Sequence, residues 1–366
     1  MATPNYWDYL SLDTLLGIQG GLDEDESQLV PDELHFIITH QALELWFKLA
    51  LAEMRHARDH LIKPTVPEER IPYVVHHLRR VNAVFALAIK TFEVMETLTP
   101  QDFLSFRDKL SPASGFQSFQ MREIEMVMGM NDQTRLSYGS SSPLEHIKKL
   151  AESSPSGAMA YQRLKAAQSE VSLRVALHEW LYRTPISGSQ PDDSGDADVV
   201  DDFLQHYVAA VHEQHTEQAR AMKATGLGKP EEIDARYANN TELAKSFLFA
   251  EDVDAAQRDR RKRVRAALLY IESYRDLPLL AWPRLLVDTM VEFEEQLVLW
   301  RTRHARMVER VIGRRVGTGG SSGVDYLDRT TKVRIFTDLW AVRTVLLPKH
   351  RLPPVENIET YGFVTD

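Results

Sequence analysis

Cysteine is missing altogether from the 366 residues. That absence excludes a disulfide framework, thiolate-held iron–sulfur clusters and haem attached or ligated through sulfur of cysteine. It fits a reducing compartment, and a cytoplasmic location is expected. Long apolar runs are missing too: none approaches the roughly 18 residues of a membrane span, so no membrane association is expected. Residues 1–19 lack a basic region followed by an apolar core, so no secretory leader is expected. Positive charge is in short supply, with 43 Lys and Arg against 53 Asp and Glu, a net charge of −10. Nucleic acid and anionic membranes are therefore poor partners. The chain also lacks a βαβ rhythm, an internal repeat and a second core pattern. What remains is 43 % hydrophobic, enough for a sizeable core, and patterned for helices.

The pattern runs as follows along the chain. Residues 1–30 carry an aromatic start, Tyr6-Trp7-Asp8-Tyr9-Leu10, which is too short for its own core and should dock elsewhere. Pro31 opens a helix expected to reach His60, with Asp32 and Glu33 at its positive end. A second long helix is expected over 71–97, and Thr99-Pro100 starts another. Further helices are expected over 119–128, 142–150 and, as one piece, 158–180. Residues 185–198 are rich in Ser, Gly, Asp and Pro and read as a loop or disordered linker. Residues 199–262 read as charged, solvent-exposed helices, so 185–262 forms a linker plus insert. The apolar pattern returns over 263–274 and 283–313, and a last helix is expected over 333–347. The expected architecture is a single all-α helical-bundle domain over 1–366.

One stretch stands out, from Trp300 to Gly323. Phe293, Leu297, Trp300, His304, Met307 and Val311 recur at spacings of three and four, so His304 lies in an apolar stripe. Arg301, Arg303, Arg306, Glu309 and Arg310 are expected on other faces. A histidine in such a stripe is either a satisfied core residue or one that points a nitrogen at a metal in a cavity. Directly after the helix comes Gly317-Thr318-Gly319-Gly320-Ser321-Ser322-Gly323, four glycines and two serines in seven residues. Its glycines allow close backbone approach to a ligand. It lacks the Lys-Ser/Thr ending and preceding strand of a nucleotide cradle.

Trp300-Arg301-x-x-His304, the basic helix after it and the glycine run closely resemble the tryptophan 2,3-dioxygenase family, within a superfamily of haem-dependent aromatic amino acid oxygenases. The resemblance covers 6–130, 263–353 and more weakly 143–184. It implies that His304 is the axial ligand of the iron of a b-type haem, and that the glycine loop closes over the substrate. Phe36-Ile37-Ile38-Thr39-His40-Gln41 and Glu44-Leu45-Trp46 resemble the family's distal segment. That resemblance implies that Phe36 packs on the substrate indole and that His40 lies near the indole N–H as a catalytic residue. Ser114-Gly115-Phe116-Gln117-Ser118 through Arg122 resembles the segment whose arginine binds the substrate carboxylate. Read on residues alone, Arg122 would pair with Glu123 or Glu125, because an unpaired buried charge is expensive. Thr318 and Gly319 match the loop that contacts the amino-acid end of the substrate. Tyr6, Tyr9 and Leu10 match an N-terminal segment that reaches a neighbouring subunit's active site, which implies a homotetramer.

Three positions depart from the family pattern: Pro31 precedes Asp32-Glu33, Met121 precedes Arg122, and Lys109 stands where some members have Tyr. Other histidines offer bland readings. Glu53-x-x-His56 is a lone di-iron-type unit where two are needed. His206, His212 and His215 sit on a charged, solvated face. The resemblance thus implies haem-dependent oxidation of L-tryptophan by O2 to N-formylkynurenine, the first step of the kynurenine pathway. Alternatives are a monooxygenase acting on tryptophan, a substituted tryptophan or another aromatic amino acid, and a non-enzymatic haem-binding sensor.

Overall fold

Proline, serine and threonine set the helix starts in the computed structural model, which describes residues 5–110, 118–130, 148, 151–152, 154–315 and 323–362. In chain order, the α-helices among the described residues begin with α1 (Tyr6–Leu10), α2 (Leu12–Leu15), α3 (Pro31–Leu61), α4 (Ile71–Met95), α5 (Pro100–Phe106), α6 (Phe119–Met128) and α7 (Pro155–Ser169). They continue with α8 (Leu173–Arg183), α9 (Asp196–Ala224), α10 (Pro230–Leu248), α11 (Ala255–Ser273), α12 (Ala281–Ile312), α13 (Gly323–Thr330) and α14 (Thr337–Thr344). Among the described residues there is no strand, only an isolated bridge between Ile186 and Ser189. The all-α expectation holds. Among them, no helix is long and apolar enough to cross a membrane.

Capping explains the boundaries. The Thr99 hydroxyl accepts from the Asp102 N–H at 3.2 Å, and Pro100 occupies the first turn, where its missing N–H costs nothing. Ser118 caps α6, and Gly129 ends it at φ 112°, a left-handed conformation suited to glycine. One expectation fails here. Residues 158–180 are not one helix: α7 ends at Ser169 and α8 starts at Leu173. Glu170 leaves the helix for extended backbone, and its carboxylate takes Arg55 by two hydrogen bonds of 2.9 and 2.8 Å. Apolar periodicity does not register a break at a residue whose contacts are polar. The last helix is also shorter than expected, over Thr337–Thr344 rather than 333–347; just before it, the Ile335 N–H donates to the Glu294 carboxylate. The expected helix over 142–150 lies mostly outside the described residues.

Two compact units divide the chain. The first comprises 1–55, 77–172 and 292–335. Its core is an aromatic chain: Phe47 to Phe85 at 6.3 Å, Phe85 to Phe293 at 5.7 Å and Phe47 to Trp300 at 5.6 Å between ring centroids. These rings join α3, α4 and α12, and each fully buried one contributes roughly 1.5–3 kcal/mol. A polar tie adds register: the buried Glu53 on α3 accepts from His77 and, at 2.8 Å, from Arg80, both on α4.

The second unit comprises 56–76, 173–291 and 336–366. Phe203, Tyr270, Tyr274 and Tyr361 cluster there, with Tyr270 at 5.4, 4.8 and 5.4 Å from the other three rings. Of the two readings of 185–198, a loop or a disordered linker, the backbone up to Gly195 is a tied loop, and Asp196 begins α9. Ser189 donates to Asp196 at 2.8 Å, and the Tyr361 hydroxyl donates to the Pro185 carbonyl at 3.1 Å. The charged insert helices are anchored, not merely solvated: Val200, Phe203, Leu204, Tyr207 and Val211 of α9 are all buried. α11 runs through residue 262 without interruption.

Candidate active site

Within the first unit, α3, α4, α5, α6, α12 and α13 surround a cavity of about 270 Å³ with mostly apolar walls. His304, His40, Phe36 and Arg122 all line it. Helical spacing alone accounts for two of them. Phe36 and His40 are four residues apart on α3, and their rings lie 4.1 Å apart, tilted by 36°. Phe103 and Phe106 of α5 pack on the other side of Phe36, at 5.9 and 5.6 Å. The result is a cluster of aromatic rings, tilted and edge-on to one another, beside an imidazole.

His40 has a defined tautomer. Its Nδ1 lies 2.8 Å from the Phe36 carbonyl, an acceptor, so Nδ1 carries the proton and donates. Nε2 is left with its lone pair. Burial holds the ring's pKa below the usual histidine value, against the pull of the Phe36 carbonyl and Glu44, so the ring is neutral at pH 7.

His304 is enclosed by Phe92, stacked at 5.6 Å and 8°, and by Trp300 at 5.0 Å. Burial pushes its pKa down to about 4, with His40 and Arg122 adding to the effect. The imidazole is therefore neutral, with a lone pair available to a metal. No group of three or more acidic, His or Cys side chains that could hold a bare ion occurs among the described residues. A single neutral imidazole on an apolar cavity fits a metal that brings its own equatorial ligands, as a porphyrin does.

Arg122 sits on α6 with its side chain 12 % exposed, and its Nη1 donates to Glu125 at 2.8 Å. Its Nε is buried without a hydrogen-bond partner. An unmade bond on a buried donor is costly, roughly 1–3 kcal/mol. The same Glu125 accepts from Arg301 at 2.9 Å through its other oxygen. This corrects the expectation that Arg301 faces away from the stripe: it is 3 % exposed and lines the cavity. The signal was present, since Arg301 follows Leu297 by four residues. The pairing of Arg122 with Glu125, expected on residues alone, is made, yet it is only half the arrangement.

Residues not singled out from sequence complete the walls. Glu44, one turn beyond His40, lines the cavity and accepts from Ser118 at 2.6 Å and Gln120 at 2.7 Å. These bonds fasten the start of α6, and so Arg122, to α3. Tyr326, buried on α13, lines the cavity beside Arg122. Lys109 is absent from the cavity wall and instead pairs with the buried Glu33 at 2.9 Å. Thr318 and Gly319 lie outside the described residues. Tyr6, Tyr9 and Leu10 are 75 %, 80 % and 42 % exposed and do not line the cavity. The remaining histidines keep their bland reading; His215, for one, bonds to Thr241 at 2.8 Å.

Comparison with known proteins gives a consistent answer. The family described as tryptophan 2,3-dioxygenase matches residues 1–346. The chain is 46 % identical to the tryptophan 2,3-dioxygenase of Sorangium cellulosum, over 98 % of this chain and 87 % of that one. It is 45 % identical to tryptophan 2,3-dioxygenase 2 of Ralstonia nicotianae, over 100 % and 99 %. It is 44 % identical to a tryptophan 2,3-dioxygenase-like protein of Xanthomonas campestris, over 74 % and 99 %. With a cavity that gathers His304, His40, Phe36 and Arg122, and with likeness along nearly its whole length, the chain belongs to the tryptophan 2,3-dioxygenase family.

Proposed function

We propose that this chain oxidises L-tryptophan with dioxygen, placing both oxygen atoms across the indole C2–C3 bond to give N-formylkynurenine. The observation that carries the reading is the content of one cavity: a neutral imidazole, an aromatic wall with a second imidazole, and an arginine with an unmade bond. The names of its relatives favour this reading over monooxygenation.

His304 would hold the iron of a b-type haem, which supplies the dioxygen chemistry when bound. Arg122 receives the substrate carboxylate. Glu125 already holds one terminal nitrogen, Nε has no hydrogen-bond partner, and a guanidinium edge matches a carboxylate by two parallel bonds. Phe36 packs on the indole ring. The His40 Nε2 lone pair accepts from the indole N–H and fixes which ring edge is presented. Phe103 and Phe106 back this wall and exclude water. Thr318 and Gly319 of the glycine loop contact the amino-acid end. Tyr6, Tyr9 and Leu10 expose apolar surface that a single chain leaves uncovered, which supports docking on a neighbour in a homotetramer.

The test is direct. Haem-loaded protein is reduced without oxygen, then given L-tryptophan and isotopically labelled dioxygen, and the product is weighed. Two labelled atoms in N-formylkynurenine are expected. One labelled atom would move the chain to monooxygenation, and untouched tryptophan would reject the substrate.

A further inference from the structure

Three ionised side chains meet at the wall of the cavity: Arg122, Glu125 and Arg301. Their exposures are 12 %, 4 % and 4 %. Each oxygen of Glu125 serves a different guanidinium, Oε2 taking Arg122 at 2.8 Å and Oε1 taking Arg301 at 2.9 Å. Arg301 spends a further nitrogen on the Thr330 carbonyl at 3.3 Å, which ties α12 to α13. The group therefore holds two positive charges and one negative charge. Among the described residues, the other acidic side chain on the cavity wall is Glu44. Glu44 spends its oxygens on Ser118 and Gln120, which are neutral donors.

An uncompensated buried charge is costly, and the cost falls when a counter-ion arrives. Were Arg301 absent, Glu125 could neutralise Arg122 alone, and Arg122 would have little electrostatic reason to bind a second anion. Resting on the proposal that Arg122 receives the substrate carboxylate, we infer that Arg301 is a specificity-determining residue. It shares Glu125 with Arg122, leaves the wall one positive charge in excess, and so makes a ligand carboxylate the missing counter-ion. Arg301 touches neither substrate nor reacting atoms in this role. It acts through Glu125 on Arg122.

The charge-removing variant is Arg301→Gln, which keeps a donor for Glu125. Calorimetric binding to the haem-loaded protein is measured for L-tryptophan and for L-tryptophanamide, its uncharged isostere at the carboxyl end. The ratio of the two affinities reports carboxylate recognition and is insensitive to general loosening of the fold. Arg301→Gln is expected to lower that ratio by about ten- to a hundredfold, the range of one charge a few ångströms away at an intermediate dielectric. Arg301→Lys keeps the charge and should restore most of the ratio. An unchanged ratio in Arg301→Gln overturns the inference. So does loss of haem affinity with the ratio intact, which would assign the excess charge to the haem propionates.

If Arg301→Gln does not fold, Glu125→Gln tests the same point from the other side. Removing the shared anion deepens the excess, so the ratio should rise, and a fall would overturn the inference. Arg122→Ala separates this inference from the reading beneath it. A collapsed ratio in Arg122→Ala beside an intact one in Arg301→Gln rejects the role of Arg301 alone. An intact ratio in Arg122→Ala rejects the carboxylate reading itself.

Discussion

Two buried arginine clusters, one in each unit, are built from the same parts and end differently. In the second unit, Arg265 is saturated. It donates to both oxygens of Asp252 at 2.5 and 2.9 Å, to Asp338 at 3.1 Å and to the Phe247 carbonyl at 2.6 Å. Burial alone would pull its pKa down, but Asp252 and Asp338 outweigh it and hold the guanidinium above its ordinary value. In the first unit, Arg122 keeps Nε buried and unpartnered beside a cavity. A saturated cluster is finished as structure. An unsaturated one on a cavity wall is a request for a ligand. Two histidines repeat the contrast. Burial pushes both His304 and His178 down to about 4. His178, however, is wedged against Arg261 at 3.4 Å and Asp338 at 3.9 Å, whereas His304 looks onto the cavity. A displaced pKa does not distinguish the two; the space in front of the ring does.

The largest effect expected from this contrast is all-or-none. His304→Ala should abolish stoichiometric haem, read from the Soret absorbance of reconstituted protein, while His178→Ala should keep it. Equal haem in the two variants would break the comparison. Next comes the saturated arginine. Arg265→Ala takes a buried guanidinium from Asp252, from the Phe247 carbonyl and from Asp338, which keeps Arg261 at 2.7 Å, and should cost about 3 kcal/mol of stability by chemical denaturation. The KM for L-tryptophan should stay where it was. The reverse is expected of Arg122→Ala. Its KM should rise by roughly a hundredfold, since losing one partner of a buried charged pair costs about 2–5 kcal/mol. Its stability should fall by less than that of Arg265→Ala, because Arg122 gives up one bond to Glu125 where Arg265 gives up four. An unchanged KM would remove Arg122 from the substrate.

Much of the site could be read before the fold was known, for a definite reason. Helical spacing is a local rule, so Phe36 with His40, and Trp300 with His304, follow from counting residues. Helix starts at Pro31 and Thr99 were legible because caps are local chemistry. What sequence hid was pairing across distance. The pairing of Glu170, where a helix ends, with Arg55, 115 positions earlier, leaves no trace in an apolar pattern. Nor does the meeting of Glu125 with Arg301, separated by 176 positions. Arg301 carries half a signal: it lies at stripe spacing, four residues after Leu297, yet a charged residue there reads as facing away until its partner is visible. The insert likewise read as exposed because its charges outnumber the apolar residues that anchor it.

The smallest effect concerns acid and sharpens the histidine pair. Unfolded histidine titrates near 6.5, while folded His304 and His178 refuse the proton until about pH 4. Between those values the unfolded chain binds more protons than the folded one, so stability falls as pH drops through this window and is unaffected above it. His304→Phe, which keeps an aromatic ring against Phe92, removes one such group. His178→Leu removes the other. In haem-free protein each variant should recover up to roughly 2 kcal/mol at pH 5 relative to its own loss at pH 7.5. Thermal unfolding across that range measures it. In haem-loaded protein the two should part. His178→Leu keeps its acid relief, whereas His304→Phe forfeits the ligand's stabilisation altogether and should melt lower at every pH. Matching behaviour of the two variants in loaded protein would mean that the cavity in front of His304 confers nothing that the wedge around His178 lacks.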